Sequence, residues 1–253
     1  MARYQVILAY DGTEFQGFQR QALAPTVQGA VEDALRCLGW NGRAILASGR
    51  TDTGAHASGQ VIAFDLEWKH TVQELKAALN AHLPPSVVAR SAALVDEHFH
   101  PRFGATGRRY RYRIYCLPER DPFRDRFAWQ LWPAVEVDNL HPLSRQILGA
   151  HDFAAFGTPP KAGGSTLRTV SQASWDLTRD GTGTQELAFE VVANAFLYRM
   201  VRRLVYIQVA IAQGKLDRDL LGKLLESPPG NPVQGLAPAC GLALVEVYYP
   251  QPQ

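Results

Sequence analysis

Residues 44–66, AILASGRTDTGAHASGQVIAFDL, hold two strand patterns in succession, and their order decides the fold class. Ala44–Ala47 is typical of a short buried strand, and Gln60–Leu66 is its expected partner after a glycine-rich connection. No helical periodicity separates the two strands, so they follow each other directly along the chain.

The segments on either side of this strand pair are helical and then β-rich again. Tyr4–Tyr10 is a strand pattern, and Thr26 is placed to cap a helix whose apolar residues recur at helical spacing. Thr71 is placed to cap a second helix, which a pair of prolines stops before a fourth strand at Val87–Val95. The order β-α-β-β-α-β is the split arrangement of a ferredoxin-like unit.

The second half of the chain repeats this theme loosely. Strands are predicted at Arg108–Leu117, Phe127–Trp132, Thr169–Thr178, Leu187–Val192 and Leu242–Tyr249. Helices are predicted at Leu140–Leu148, Ala195–Ala212 and Asp217–Glu226. Phe156–Ser165, rich in glycine and proline, is interpreted as a mobile surface loop. The pattern predicts two α+β units side by side with a cleft between them, where a substrate would sit.

The composition is typical of a globular enzyme. The chain has 253 residues, enough for one large domain or two modest ones, and a hydrophobic content of 46% is too high for disorder. The net charge is only +2, but the 26 basic residues divide into 21 Arg and 5 Lys. Arginine is suited to binding phosphates and stacking on flat rings, although a GC-rich genome would also favour it.

Membrane, secreted and metal-binding proteins are disfavoured by three features. The most apolar stretch, Leu204–Ala212, is far shorter than a membrane span, and the N-terminus lacks the apolar region of a signal peptide. The cysteines, Cys37, Cys116 and Cys240, match neither a disulfide framework nor a metal clip. We therefore expect a reduced, cytoplasmic protein without a membrane segment or a metal.

The connection Gly49–His56 contains the best candidate for a reacting group. Glycines on both sides of Asp52 permit a tight turn that presses its carboxylate against a substrate, and Arg50 would keep that carboxylate ionised, as a nucleophile requires. An Asx-turn that satisfies its own backbone is the alternative for Asp52. His56 is interpreted as structural.

Residues 108–115, RRYRYRIY, alternate aromatic and basic side chains along a predicted strand. No acidic residue lies between Glu97 and Glu119, and basic residues interleaved with aromatics suit RNA, because guanidinium groups bind phosphate and rings stack on exposed bases. The alternative is an amphipathic strand with its aromatics in the core, which we favour for Tyr112. Tyr110, at the strand entry, is the better candidate for contacting a ligand.

Residues 193–204, ANAFLYRMVRRL, combine an apolar stripe at a spacing of four with three arginines. Arg199, Arg202 and Arg203 lie near the N-terminal half of a predicted helix, where cations oppose the helix dipole, so a phosphate or a carboxylate is expected to match some of them. A solvated charged face is the alternative, favoured for Arg203.

Together these motifs resemble the bacterial tRNA pseudouridine synthase A family. The matching segments run over nearly the whole chain in the expected order: Tyr10–Thr13, Phe18–Gln21, Gly49–His56, His100–Tyr115, Asn194–Arg202 and Gly241–Leu244. Phe18 stands where the family usually has Trp, Pro101–Gly107 departs from the usual residues, and Ala155 replaces a frequent Ser. None of these departures removes a catalytic group.

The resemblance implies a role for several residues. Asp52 matches the catalytic aspartate, Tyr110 the tyrosine that packs on the target base, and Arg202 the basic partner of the aspartate. Arg50 matches the arginine that is linked to flipping the target nucleotide. RNA contacts are predicted at Arg20 from the resemblance, and from the basic runs at Arg108, Arg109 and Arg199.

The resemblance also implies a fold and an activity. The fold is α+β, with two ferredoxin-like halves, residues 1–104 and 105–253, that form one extended, mostly antiparallel sheet with helices on one face and a central basic cleft. Family members are homodimers that isomerise uridine to pseudouridine at positions 38, 39 and 40 of the tRNA anticodon arm, without a metal or another cofactor. Asp52 would attack C1′ of the ribose or C6 of the base, or assist elimination through a glycal, and the sequence leaves these routes open.

Two other classes of protein compete with this interpretation. A non-catalytic RNA-binding protein would use sheet aromatics as a stacking platform, but the sequence contains no RNP1 pattern. An aspartate-dependent phosphohydrolase would need several carboxylates to hold Mg²⁺, and the turn contains only Asp52.

Overall fold

The computed structural model describes residues 1–250, which form ten β-strands and five α-helices, an α+β protein. The strands are β1 (Ala2–Tyr10), β2 (Leu46–Ala47), β3 (His56–Leu66), β4 (Val87–Val95), β5 (Gly107–Cys116), β6 (Trp129–Gln130), β7 (Gly149–Asp152), β8 (Leu167–Arg179), β9 (Gln185–Ala193) and β10 (Leu242–Tyr248). The helices are α1 (Val27–Cys37), α2 (Val72–His82), α3 (Val137–Gln146), α4 (Met200–Ala212) and α5 (Leu220–Glu226).

The chain divides into two compact units. Unit 1 consists of Met1–Thr106 together with the chain from Ala243 onward, and unit 2 is Gly107–Leu242. The expected division at residues 104 and 105 differs from this one chiefly at the C-terminus, because β10 returns to pair with β3 in unit 1.

Unit 1 is a sheet in the order β4-β1-β3-β10, with β2 also beside β3. β1 runs antiparallel to β3 and β4, and alternate β1 residues from Tyr4 to Tyr10 are buried, as a strand with one face on a core requires. α1 and α2 pack against each other, and α2 packs on β4. The side chain of Asn80 on α2 bonds both the N–H and the C=O of Ala89, which fixes α2 to β4.

Both predicted helix caps of unit 1 are confirmed. The Thr26 hydroxyl accepts a hydrogen bond from the Gly29 N–H, so α1 begins at the next residue. Thr71 and Glu74 form a capping box, in which each side chain accepts from the other residue's N–H.

Two strands share one edge of β3, and this arrangement creates the connection at residues 49–55. β2 pairs antiparallel with β3 at Ile62 and Ala63, whereas β10 pairs in parallel at His56 and Ala57. The chain must therefore leave the β3 edge after Ser48, whose N–H still bonds the Val61 carbonyl, and turn before it enters β3. β3 is consequently four residues longer than the Gln60–Leu66 prediction.

Unit 2 is a sheet in the order β5-β9-β8-β7, with the short β6 parallel to β5. α3 packs on β8, and α4 packs on α3 and β5. α4 is buried on nearly all sides, and the fully buried Gln208, which interrupts its apolar run, accepts a hydrogen bond from the indole N–H of Trp175 at 3.0 Å. The core around α4 is thus largely apolar, and the buried Gln208 within it has a hydrogen-bond partner.

The prediction that a helix covers residues 195–199 is wrong. α4 begins at Met200, because the Tyr198 backbone forms a β-bridge with Thr158 and Arg199 has a left-handed conformation with φ 64°. Phe196 is therefore not on the helix stripe with Met200. The sequence patterns also missed β7, which is only four residues long.

None of the helices between residues 1 and 250 combines the length and the apolar character needed to span a bilayer.

Candidate active site

The Asp52 turn, Gly49–Ala55, is held in place by the segment that follows β1. The Phe18 N–H donates to the Thr51 carbonyl at 3.2 Å, and the Gly54 N–H donates to the Phe15 carbonyl at 3.3 Å. The Ala55 N–H closes the turn on the Asp52 carbonyl at 3.1 Å. Backbone bonds on both sides of Asp52 therefore fix the position from which its side chain emerges.

Two glycines allow this close approach of backbones. A Cβ atom on Gly12 would lie 1.9 Å from the Ala55 carbonyl oxygen, and one on Gly17 would lie 2.9 Å from the Thr51 carbonyl oxygen. Gly17 and Gly54 also have positive φ, at 83° and 76°, where glycine carries no steric penalty. The segment after β1 thus approaches the turn backbone to backbone at Gly12 and Gly17.

Buried side chains fasten the two ends of the turn. The Tyr10 hydroxyl lies 2.8 Å from the Thr51 hydroxyl in a buried hydrogen bond. His56 is buried, its Nδ1 accepts from the Gly12 N–H at 3.0 Å, and the same atom lies 3.2 Å from an oxygen of Asp11. His56 is part of the framework around the turn, which agrees with its structural interpretation.

Gln60 on β3 anchors the start of the Asp52 turn. This fully buried amide donates to the Gly49 carbonyl at 3.0 Å and accepts from the Ser48 hydroxyl at 2.6 Å. The Gly49 carbonyl lies just beyond the pairing of β2 with β3, and Gln60 supplies the hydrogen-bond donor that it needs there.

Asp52 itself is half-buried, and Arg50 is exposed at the start of the turn. Among residues 1–250, the Arg50 guanidinium makes no side-chain hydrogen bond or ion pair. The Arg50 charge is therefore available to a ligand. The backbone of Asp52 is held by hydrogen bonds on both sides.

Tyr110 lies on β5 in unit 2, where its ring meets Phe196 edge-on at 4.9 Å between centroids. Tyr110 is half-buried, in contrast with the fully buried Tyr112, whose hydroxyl donates to the Pro238 carbonyl at 2.7 Å. Burial raises the pKa of the Tyr112 phenol well above its usual value. The expectation that Tyr112 belongs to the core is confirmed, and the ligand contact of Tyr110 stays a prediction.

Arg202 and Arg203, on the first turns of α4, bond the backbone of neighbouring loops. Arg202 Nε donates to the Ala237 carbonyl at 2.7 Å, and Arg203 donates from Nη1 to the Phe156 carbonyl and from Nε to the Val233 carbonyl. Arg203 is therefore not on a solvated charged face, so the interpretation favoured for it is wrong. The first turn of α4 contains no acidic residue, and its two arginines instead hold two loops by bonding their backbone carbonyls.

The predicted RNA-binding arginines have different environments. Arg20 pairs with Glu32, a fully buried carboxylate that also accepts from Gln28 and from the Ile45 N–H. Arg108 donates to the Asn194 carbonyl at 2.9 Å. Arg109 lies opposite Val192 in the β5–β9 ladder, and Arg199 is exposed at the α4 junction, which we define as Leu197–Met200.

Two arginines of the β5 run are neutralised within the sheet. Arg111 pairs with Glu190, and Arg113 lies 3.3 Å from Glu186, both on β9. Arg111 and Arg113, which are not among the predicted RNA contacts, thus have carboxylate partners on the neighbouring strand.

Several residues of the site framework were missed by the sequence patterns, notably Gly12, Gln60 and Phe196. Gly12 belongs to the Tyr10–Thr13 segment of the resemblance, but no pattern in the sequence indicates that it contacts Ala55. Between residues 1 and 250, the structure has no group of three or more His, Cys, Asp or Glu side chains that could hold a metal ion.

Comparison with known proteins gives a consistent result over the full chain. Residues 6–104 and 143–250 match a family model described as tRNA pseudouridine synthase. The chain is 38% identical over 253 residues to tRNA pseudouridine synthase A of Shouchella clausii, covering 100% of this chain and 95% of the relative. Similar relatives with the same name are those of Geobacillus kaustophilus, 38% identical over 98% of this chain and 94% of the relative, and Chloroflexus aurantiacus, 37% identical over 99% and 90%.

Proposed function

Because the chain belongs to the tRNA pseudouridine synthase family, an isomerase family that acts on tRNA, we propose that it converts uridines 38, 39 and 40 of the anticodon arm and uses Asp52 as the essential carboxylate. The observation that carries the proposal is the Asp52 turn, in which backbone bonds on both sides hold one half-buried carboxylate. Such preorganisation is what a reacting group requires.

The reaction breaks the bond between uracil N1 and ribose C1′ and forms a bond from C5 to C1′. The C5 proton leaves and N1 gains one, so no electrons are exchanged with a carrier and no net atom is added. An ionised carboxylate serves each possible route, whether attack at C1′, attack at C6, or elimination through a glycal.

Other residues bind the substrate in this proposal. Tyr110 packs on the uracil ring, and Phe196 supports that ring from its edge. Arg202 is the basic partner of the aspartate, and its bond to Ala237 orients the guanidinium. Arg50, exposed and without a side-chain bond among residues 1–250, assists flipping of the target nucleotide, which must leave its stack at a cost of a few kcal/mol.

Phosphate contacts offset that cost. Arg199 is exposed, Arg108 and Arg109 are half-buried, and Arg20 is half-exposed while it pairs with Glu32. Each adds affinity without reading the sequence of the RNA, because a guanidinium on a phosphate is indifferent to the base. The proposal includes two ferredoxin-like halves, residues 1–104 and 105–253, that form one sheet with a central basic cleft in which these groups act.

The test is release of tritium from tRNA transcripts labelled at uracil C5. We expect the wild-type protein to release tritium and Asp52→Ala to release none, while Asp52→Ala binds RNA within about tenfold of wild type, because phosphate contacts dominate affinity. Asp33→Ala, which removes an exposed carboxylate of α1, is the matched control and should keep full release. A wild-type protein that releases no tritium would overturn the proposal, and mapping of the product positions tests 38, 39 and 40.

The proposed enzyme is a cytoplasmic homodimer. Light scattering on the purified protein at micromolar concentration should give twice the chain mass of 28.0 kDa. A monomeric mass would remove the dimer from the proposal without affecting the isomerase activity.

A further inference from the structure

The α4 junction displays an aromatic ring that the proposed chemistry does not use. The Tyr198 side chain is 53% exposed, and its hydroxyl has no hydrogen-bond partner among residues 1–250. The Arg199 guanidinium carbon lies 4.7 Å from the centre of the Tyr198 ring, a cation–π contact at the surface. A flat ring backed by a planar cation is the arrangement on which a single-stranded base stacks.

The backbone under this ring is unusual and firmly held. Arg199 is the one non-glycine residue between 1 and 250 with positive φ, at 64°, a conformation that costs an L-residue about 1–2 kcal/mol. The Tyr198 N–H donates to the Thr158 carbonyl at 2.9 Å, and a Cβ on Gly157 would lie 2.6 Å from the Leu197 Cβ. Close packing therefore imposes the conformation that sets Arg199 against the ring.

The two segments that meet here are positively charged. Residues 153–175 and 191–215 contain no acidic residue. The first segment carries Lys161 and Arg168, and the second carries several arginines, Arg199 among them. An exposed aromatic in this field favours an anionic polymer with unstacked rings over a protein partner, which would bring its own carboxylates or apolar groups.

The junction is also connected to the proposed base-binding tyrosine. Phe196, which touches the Tyr110 ring, precedes Tyr198 by two residues. Asn194, at the start of the same segment, bonds the Thr169 N–H and accepts at its carbonyl from Arg108. A ligand on Tyr198 would therefore be held by the same short, rigid segment that supports Tyr110.

From these observations we infer that Tyr198 and Arg199 form a stacking platform for an unpaired nucleobase of the RNA loop next to the target uridine. This inference rests on the proposed function, since it names a second base that the same substrate would present. Tyr198 stacks on the base, and Arg199 holds the ring and neutralises an adjacent phosphate. The platform would favour targets in loops or at loop margins, where a neighbouring base is free to unstack.

The test is a binding cycle with anticodon-arm hairpins. Dissociation constants are measured in an Asp52→Ala background, so that the uridine stays unmodified, for hairpins with all bases and for hairpins with one abasic loop position each. We expect Tyr198→Ala to weaken binding of the complete hairpin about tenfold and to have no effect on the hairpin that lacks the stacked base. Tyr198→Phe, which keeps the ring, should bind within about twofold of its parent.

Two further measurements keep the outcomes separate. Arg199→Gln should lower the salt dependence of binding by about one counterion, and Tyr198→Ala should not. Equal weakening of every hairpin by Tyr198→Ala, or no weakening of any, would overturn the platform. Absence of tritium release by wild-type protein would instead overturn the proposed function, because the binding cycle does not depend on turnover.

Discussion

At both the Asp52 turn and the α4 junction, two backbone segments pack closely together. The two sites use opposite kinds of residue at the point of close packing. At the Asp52 turn the sequence supplies glycine where a side chain would collide, at Gly12 and Gly17. At the α4 junction the left-handed position is occupied by Arg199, although glycine would adopt that conformation without strain. The difference indicates that close backbone contact decides the residue type at Gly12 and Gly17, whereas a side chain is kept at the most strained residue of the α4 junction.

The strongest test of the shape of the Asp52 turn is Gly12→Ala. The new Cβ would lie 1.9 Å from the Ala55 carbonyl oxygen, which is backbone and cannot rotate away as the end of a flexible side chain could. We expect a loss of about 1–3 kcal/mol in the free energy of unfolding, measured by urea denaturation. We also expect a fall in tritium release of about 100-fold, because a shift of about 1 Å at a reacting group has that effect.

Gly49→Ala is the matched control for this substitution. A Cβ on Gly49 has no neighbour within 4 Å, and Gly49 is not among the glycines with positive φ. Its free energy of unfolding should change by less than about 1 kcal/mol. Equal destabilisation by the two substitutions would show that the close contact at Gly12 is not what fixes the turn.

A smaller effect is expected from Gln60→Leu, which keeps the volume but removes the bonds to Gly49 and Ser48. The Gly49 carbonyl, in a part-buried hydrogen bond, loses its donor, so we expect a loss of about 1–3 kcal/mol in stability. The turnover number for tritium release should also fall, because Gly49 begins the Asp52 turn.

Gln208→Leu provides the comparison from unit 2, since Gln208 is equally buried but bonds Trp175 in the core. It should lose a similar amount of stability, about 1–3 kcal/mol, and keep its turnover number per folded molecule. If both glutamine variants lost turnover to the same extent, Gln60 would have no special connection to the Asp52 turn.

Local signals made much of the fold predictable. The caps at Thr26 and Thr71 were readable because a capping side chain lies within three residues of its partner. The boundaries of β4 matched at both ends, because Pro84 and Pro85 separate it from α2 and most of its residues are apolar. These features depend on residues that are close together in the sequence, so a single sequence is enough to predict them.

Features that depend on distant partners were not predictable. The start of α4 was placed five residues too early, because helical periodicity continues through Tyr198 and only the bridge to Thr158 interrupts it. The ion pair of Arg111 with Glu190, opposite it on β9, joins residues 79 positions apart and was not predictable from the basic run. Asp52 and Tyr110 are predicted as site residues from their motifs, but the contacts that position each of them come from residues far along the chain.

The strain at the α4 junction is tested by Arg199→Gly and Arg199→Val. Glycine relieves the left-handed conformation but adds freedom to the unfolded chain, so the free energy of unfolding should change by less than about 1 kcal/mol. Valine, which is β-branched, should lower it by about 1–2 kcal/mol. Thermal or urea unfolding distinguishes these cases, and a glycine variant as unstable as the valine variant would mean that the Arg199 side chain, and not φ, stabilises the junction.

The smallest effect concerns a third turn, at His100, which is held by a titratable side chain. His100 Nδ1 accepts from the N–H groups of Arg102 and Phe103, and burial, followed by the positive charges of Arg3 and Arg102, lowers the pKa of the imidazole below its usual 6.5. The folded protein then binds fewer protons than the unfolded chain in the pH range just below 6.5. The stabilisation is therefore fully present above pH 6.5 and is lost as the pH falls toward the folded pKa.

His100→Gln should consequently flatten the dependence of the free energy of unfolding on pH in the range just below 6.5, while His98→Gln, at an exposed neighbouring position, controls for the loss of an imidazole. An unchanged slope in His100→Gln would mean that the imidazole does not act through its proton.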